Sequence, residues 1–143
     1  MPAGGARLFG DVEPEARALV QISQLVLKGR IALLEHRPDD AAIAFRAAAE
    51  RQETVLHDFD DPPAWWYPVR RSLAAAELAA GQPEAAEREA QAALALAPQD
   101  PLALLVLGRA RQARGKAALA EQALAEARRA WRGPASELAL ANV

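Results

Sequence analysis

Few side chains in this sequence carry reactive chemistry, and their spacing limits what they can do. His57-Asp58 followed by Asp60-Asp61 is the one cluster with ligands for a metal, since carboxylates suit hard cations. It lacks the spacing and the turn glycine of a calcium loop, and the other histidine, His36, stands in a different turn. A helix end followed by an N-cap calls for the same residues, so no metal and no cofactor is expected. Ser23, Ser72 and Ser136 have no histidine at helical spacing, which removes a nucleophile–base pair. Cysteine is absent, excluding disulfides, thiol nucleophiles and thiolate-bound zinc. Gly4-Gly5 lies in the opening stretch and makes no phosphate loop. No catalytic residue is assigned, and a non-enzymatic protein is expected. Arg109, Arg111 and Arg114, with Arg128, Arg129 and Arg132, form two basic clusters. They fall near helix C-termini, where the helix dipole favours cations. With a net charge of −2, nucleic acid is not expected as a partner.

The elements that must position these groups are helices. The 143 residues suit one domain. Reading along the row gives 37 alanines and a single threonine, Thr54, and aromatics are only 5%. Alanine is the best helix former, whereas strands want β-branched and aromatic residues. Turn signals cut the chain into six main helices. Asp11 caps the first, which runs to His36 with Leu19, Ile22, Val26 and Leu33 at helical spacing. Pro38 and Asp39 open the second, which reaches His57. A loop follows over residues 58–63, because each proline disfavours a helical predecessor. Asp61 caps a third helix, Trp65 to Ala80, ended by Gly81. The fourth runs from Pro83 to Ala97, the fifth from Asp100-Pro101 to Arg114, and the sixth from Ala117 to Trp131. A frayed last turn is expected around Glu137 to Leu140. Short connections force antiparallel neighbours, so the fold class is all-α, three antiparallel hairpins at about 11–57, 62–97 and 100–131. Residues 1–10 read as a flexible lead and 133–143 as a short tail.

The hairpins repeat. Gly81 to Gly115, Leu73 to Leu107, Ala86 to Ala120 and Ala93 to Ala127 are each 34 apart. Gly29 to Ala74, Ala41 to Ala86 and Ala48 to Ala93 are each 45 apart. The excess of 45 − 34 = 11 falls in the second helix and its loop. This pattern resembles the tetratricopeptide repeat family, whose unit is a 34-residue helix-turn-helix. The resemblance rests on Leu104, Leu107, Gly108, Gly115, Ala120, Leu124 and Ala127 in the third hairpin. It continues in Leu73, Gly81, Ala86, Ala93 and Pro98 of the second, and in Gly29, Ala41, Phe45 and Ala48 of the first. It covers roughly Ile22 to Arg132. Ala74, Ala90, Glu77 and Arg111 depart from the family pattern. The run from Asp61 to Arg70 resembles a junction in the C-terminal repeat region of longer bacterial members. That implies a C-terminal portion of a larger protein, or a stand-alone relative of one.

The resemblance implies an α-solenoid with the first helix of each hairpin along its concave face. The positions it assigns to that face are Ser23, Val26, Arg30 and Leu33, then Pro68, Arg71, Ala75 and Leu78, then Leu102, Leu105, Arg109 and Gln112. Spacings of 3, 4 and 3 make each set one helix stripe. One arginine per repeat among aliphatic residues suits an extended or helical partner peptide with acidic and apolar groups. The asparagine-plus-lysine clamp of chaperone-binding members has no match. Of Trp65, Trp66 and Tyr67, one tryptophan and Tyr67 are expected beneath the second helix. The other tryptophan, Trp65 or Trp66, is left as a surface anchor. The function expected is therefore a protein–protein interaction module. The alternatives are a homodimer formed through an uncapped C-terminal edge, where Leu138, Leu140 and Val143 are apolar, and an accessory domain of a larger protein. No run is long enough to span a bilayer and the opening residues have no signal-peptide core, so no membrane partner and a cytoplasmic location are expected. Fifteen arginines against two lysines, with the alanine excess, suit a high-GC bacterial genome.

Overall fold

The computed structural model describes residues 13–56 and 65–143. The lead over 1–10, the Asp11 and Asp61 caps, and the cluster of His57, Asp58, Asp60 and Asp61 lie outside the described residues. The described residues form six α-helices: α1 (Glu13–Leu34), α2 (Pro38–Val55), α3 (Arg70–Ala79), α4 (Pro83–Leu96), α5 (Pro101–Ala113) and α6 (Ala117–Ala130). Two short 3-10 turns follow, Ala135–Glu137 and Leu140–Asn142. The helices pack in sequence as three antiparallel hairpins, α1 on α2, α3 on α4 and α5 on α6. Hairpins stack through α2 on α3 and α4 on α5, and α3 also touches α5. This is an all-α helical repeat.

The turns inside the hairpins share one chemistry. His36, Gly81 and Gly115 have φ of 58°, 74° and 71°, the left-handed conformation that ends a helix. At Gly81 the amide donates to Leu78 O, and the next amide, Gln82 N, donates to Glu77 O. Gly115 and Lys116 repeat this on Gln112 O and Arg111 O, and His36 and Arg37 on Leu33 O and Ala32 O. Thus His36 stands at the 45-residue equivalent of Gly81. It fills a helix-ending backbone position.

The close approach of helices within hairpins explains two of the departures from the repeat pattern. A Cβ on Gly29 would lie 2.7 Å from the Phe45 ring, and one on Gly108 would lie 2.6 Å from Leu124. The middle hairpin holds Ala74 and Ala90 at the equivalent positions, both fully buried. A methyl on one helix is matched by a lost side chain on the other. Alanine at both places is a paired solution, not two separate losses.

Helix starts follow the sequence signals where proline and aspartate coincide. The Asp100 carboxylate accepts from Leu102 N at 2.9 Å and Ala103 N at 3.0 Å, with Pro101 in the first turn. The third helix differs from expectation: it begins at Arg70, and Trp65–Tyr67 form a bend. Pro68 bars helical backbone at Tyr67. Its start is held from outside by Gln52 of α2. The Gln52 side chain donates to Tyr67 O and accepts from Val69 N, each at 2.9 Å. The second helix stops at Val55, with Leu56 as its C-cap, short of the expected His57. The expected turn at Glu137 to Leu140 is replaced by the two 3-10 turns that flank it.

The core has two parts. One joins α1, α2 and one side of α3, through Ile22, Phe45, Trp65, Tyr67, Leu73 and Ala76. The other joins another side of α3 to α4, α5 and α6, through Ala74, Ala90, Leu105, Val106, Leu107 and Leu124. The tail folds back onto α5, burying Val143 in this second core with Leu138 packed beside it. The expected bare C-terminal edge is therefore partly covered.

Candidate protein-binding face

The positions assigned to the concave face fall into two groups. Those on α3 and α5 are neighbours, because the two helices touch and Arg71 donates to Asp100 at 2.7 Å. The α1 set belongs to the first core instead, where Val26 is buried and Leu33 packs partly exposed. Ser23 is exposed and its hydroxyl donates to Leu19 O at 2.8 Å. Arg30 is half-buried and makes no ion pair among the described residues. On α3, Ala75 and Leu78 are half-buried against the second core, and Pro68 before it is half-buried. On α5, Leu102 and Leu105 are buried, while Arg109 and Gln112 are exposed. Arg109 donates to Gln112 at 3.0 Å and has no carboxylate partner among the described residues.

Arg71 is committed elsewhere. Its guanidinium lies 4.1 Å over the Tyr67 ring and is paired with the N-cap carboxylate of α5. It locks hairpin to hairpin, and a partner would have to compete with a nearly buried ion pair for it. Of the three arginines expected to face a partner, Arg30 and Arg109 keep their charge available.

The two tryptophans are placed differently. Trp65 is 6% exposed, so it is no surface anchor; it packs in the first core with Tyr67. Trp66 is 74% exposed and stacks on Trp65, with ring centroids 4.2 Å apart. The Tyr67 hydroxyl accepts from Ser72 at 3.2 Å within the core.

Charged side chains at the seams between hairpins were not read from the sequence. Glu87 of α4 is buried and accepts from Arg111 at 3.2 Å, from Lys116 at 2.9 Å and from Arg114. Burial pushes the Glu87 carboxyl up, but the hydrogen bonds from Lys116, Arg114 and Arg111 outweigh it and hold it at about 2. At the other seam, Glu77 of α3 accepts from Arg46 at 2.8 Å. Burial, with Glu89 nearby, raises the Glu77 carboxyl above its ordinary value. Arg70 bridges Glu53 of α2 and Glu89 of α4, which raises it above the usual arginine value. Glu77 and Arg111 are 34 residues apart, one position of the repeat carrying opposite charges. Each has a partner of the other sign on the preceding hairpin. That inversion was the signal available.

Beside the exposed end of the α5 stripe lies a cleft of about 520 Å³. Leu105, Arg109 and Gln112 form one wall, Leu124 and Arg128 of α6 another, and Trp131 and Leu138 of the tail a third. Arg128 is paired with Glu121 at 2.6 Å in an exposed position. Among the described residues no group of three or more His, Cys, Asp or Glu converges as metal ligands. No helix among them is long and apolar enough to cross a membrane.

The family profile described as Tetratricopeptide repeat matches residues 68–110, which span α3, α4 and most of α5. No curated protein and no solved structure matches the chain. The match falls on the middle hairpin and the helix stacked upon it. Within the six helices and three stacked hairpins, residues 68–110 thus resemble a tetratricopeptide repeat.

Proposed function

We propose that the chain binds a segment of another protein along the α3–α5 face, with the cleft beside Arg109 as the deepest contact. The observation that carries this is the cleft itself, walled by three of the four α5 positions assigned to the face. Its floor is aliphatic, from Leu105, Leu124 and Leu138; its rim carries Arg109, without a carboxylate partner among the described residues, and Arg128, paired with Glu121 of the same rim. Apolar depth with the cationic fork of Arg109 suits a peptide that combines aliphatic and acidic side chains. Half-buried Ala75 and Leu78 extend the apolar strip toward α3. Trp66 supplies a second, separate anchor near the other end of α3. No step of catalysis and no cofactor enters this reading.

The test is a selection from a displayed random-peptide library on the folded chain. Enrichment of sequences rich in Asp or Glu with Leu or Ile, lost in Arg109→Glu, is the expected result. Arg109 is exposed and unpaired with any carboxylate among the described residues, so its reversal spares the fold. Equal recovery by the reversed chain overturns the reading.

A further inference from the structure

Helix α1 exposes a row of aliphatic side chains along one edge. Val20, Leu27, Ile31 and Leu34 are all solvent-exposed, and Gln24 completes the row. The steps of 4, 3, 4 and 3 over residues 20, 24, 27, 31 and 34 are those of a two-helix seam. Single exposed apolar residues need no explanation, but a contiguous row does.

The repeat says what kind of surface this is. The 45- and 79-residue equivalents of Gln24, Leu27 and Ile31 are Val69 at the N-cap of α3 with Ser72 and Ala76 on it, and Ala103, Val106 and Ala110 on α5. All six are at most 1% exposed, whereas Leu27 is 60% and Ile31 44% exposed. At these three positions the edge is covered on α3 and α5 and exposed on α1, whereas the equivalents of Leu34, Ala79 and Ala113, are exposed as Leu34 is. The side chains also differ in size. Ser72 and Ala76, or Val106 and Ala110, admit a close helix, while Leu27 and Ile31 hold a neighbour further off. The edge of α1 is built for a contact of different spacing from the internal seams.

We propose that this edge pairs with the same edge of a second copy, α1 alongside α1 about a two-fold axis and parallel to it. Leu27, Ile31 and Leu34 then meet their own counterparts, as an isologous contact requires. Charge selects the direction. An antiparallel overlap of the row with itself is centred near Leu27–Ile31 and sets Lys28 and Arg30 against the mate's Lys28 and Arg30. The parallel overlap brings Arg30 beside the mate's Glu35, which is exposed and held only by an exposed pair with Arg37. Gln24, one polar residue within the row, fixes the register, as a buried polar residue does in paired helices. At the opposite end of the solenoid the tail covers part of the last hairpin, with Val143 buried. An isologous contact uses the same edge of both copies, so association stops at two.

The test uses the intact chain, whose lack of cysteine makes a single introduced thiol unambiguous. Sedimentation should give twice 15.3 kDa for the parent chain. The Leu27→Glu/Ile31→Glu chain should return to one mass, its dissociation constant raised at least about 100-fold with the helical circular dichroism unchanged. Leu34→Cys should form a disulfide-linked dimer under mild oxidation, because parallel pairing sets this position opposite itself. Gln122→Cys, exposed on α6, should not. A parent chain of single mass at every concentration overturns the proposal, as does a dimer that survives Leu27→Glu/Ile31→Glu. A dimer without the Leu34→Cys cross-link overturns the parallel arrangement.

Discussion

The paired alanines of the middle hairpin make a test of how this repeat is packed. In the third hairpin, Gly108→Ala places a methyl 2.6 Å from Leu124 Cγ and Cδ2, and 3.2 Å from the Ala120 carbonyl oxygen. Ordinary carbon contacts are about 3.5–4 Å. A rotamer change moves Cδ2 aside but scarcely moves Cγ, so the helices must separate. Overpacking of this kind costs about 1–3 kcal/mol, against a gain of about 1 kcal/mol in helix propensity for alanine over glycine. The single change should therefore lose about 1 kcal/mol. Leu124→Ala alone leaves a cavity in the second core and should lose about 3 kcal/mol. In the double variant the new methyl enters the space that Leu124 vacated, as Ala74 and Ala90 do one repeat earlier. The overlap disappears and the propensity gain remains, so the double loss should be about 2 kcal/mol, not 4. Urea unfolding of the four chains gives the coupling directly. A coupling energy within about 0.5 kcal/mol of zero would refute the argument that position 108 and position 124 are chosen together.

Four further outcomes follow from the seams and turns. Glu87→Gln leaves Arg111, Arg114 and Lys116 around a neutral amide and should lose about 3 kcal/mol at pH 7, read by denaturant unfolding. The folded Glu87 carboxyl lies below its unfolded value, so its stabilisation is complete above about pH 5 and is lost as pH falls toward 2. The parent chain should lose up to about 3 kcal/mol over that range, and the Glu87→Gln chain should lack that part of the slope. Glu77 is raised instead, so its ionised form opposes folding at neutral pH; Glu77→Gln should be tolerated at pH 7 and should remove a gain in stability on acidification that precedes the Glu87 loss. His36→Gly should raise the melting temperature slightly, by relieving about 1 kcal/mol of left-handed backbone cost. Gln52→Ala should cost about 2 kcal/mol and speed amide exchange at Val69, since it strips two hydrogen bonds from the start of α3.

The helices and their pairing were legible because proline, glycine and alanine act locally, and because the same positions recur at 34 and 45. The start of α3 was misread for the same local reason. The sequence from Trp65 to Ala80 has a helical pattern, but Pro68 and the remote Gln52 set the boundary, and Gln52 has no local mark. Trp65 and Trp66 could not be told apart, since adjacent residues on a bend have no periodicity to sort them. Arg71 shows why the candidate face was only partly legible. Its spacing matches that of Arg30 and Arg109, yet Asp100, 29 residues away, takes its charge. Residue type names a capacity for pairing; only the stacked hairpins decide whether the partner comes from within.

The divided core has a mechanical meaning. Ten-residue α3 presents Leu73 and Ala76 to one apolar cluster and Ala74 to the other, so it is a beam shared by two spans. In a one-dimensional stack each unit is held mainly by its neighbours. The first hairpin can therefore open without disturbing α5 and α6, and the last can open without disturbing α1 and α2. Any perturbation of α3 is felt by both. Stretched from its ends, the molecule should yield in two steps, with the second marked by the loss of its shortest helix.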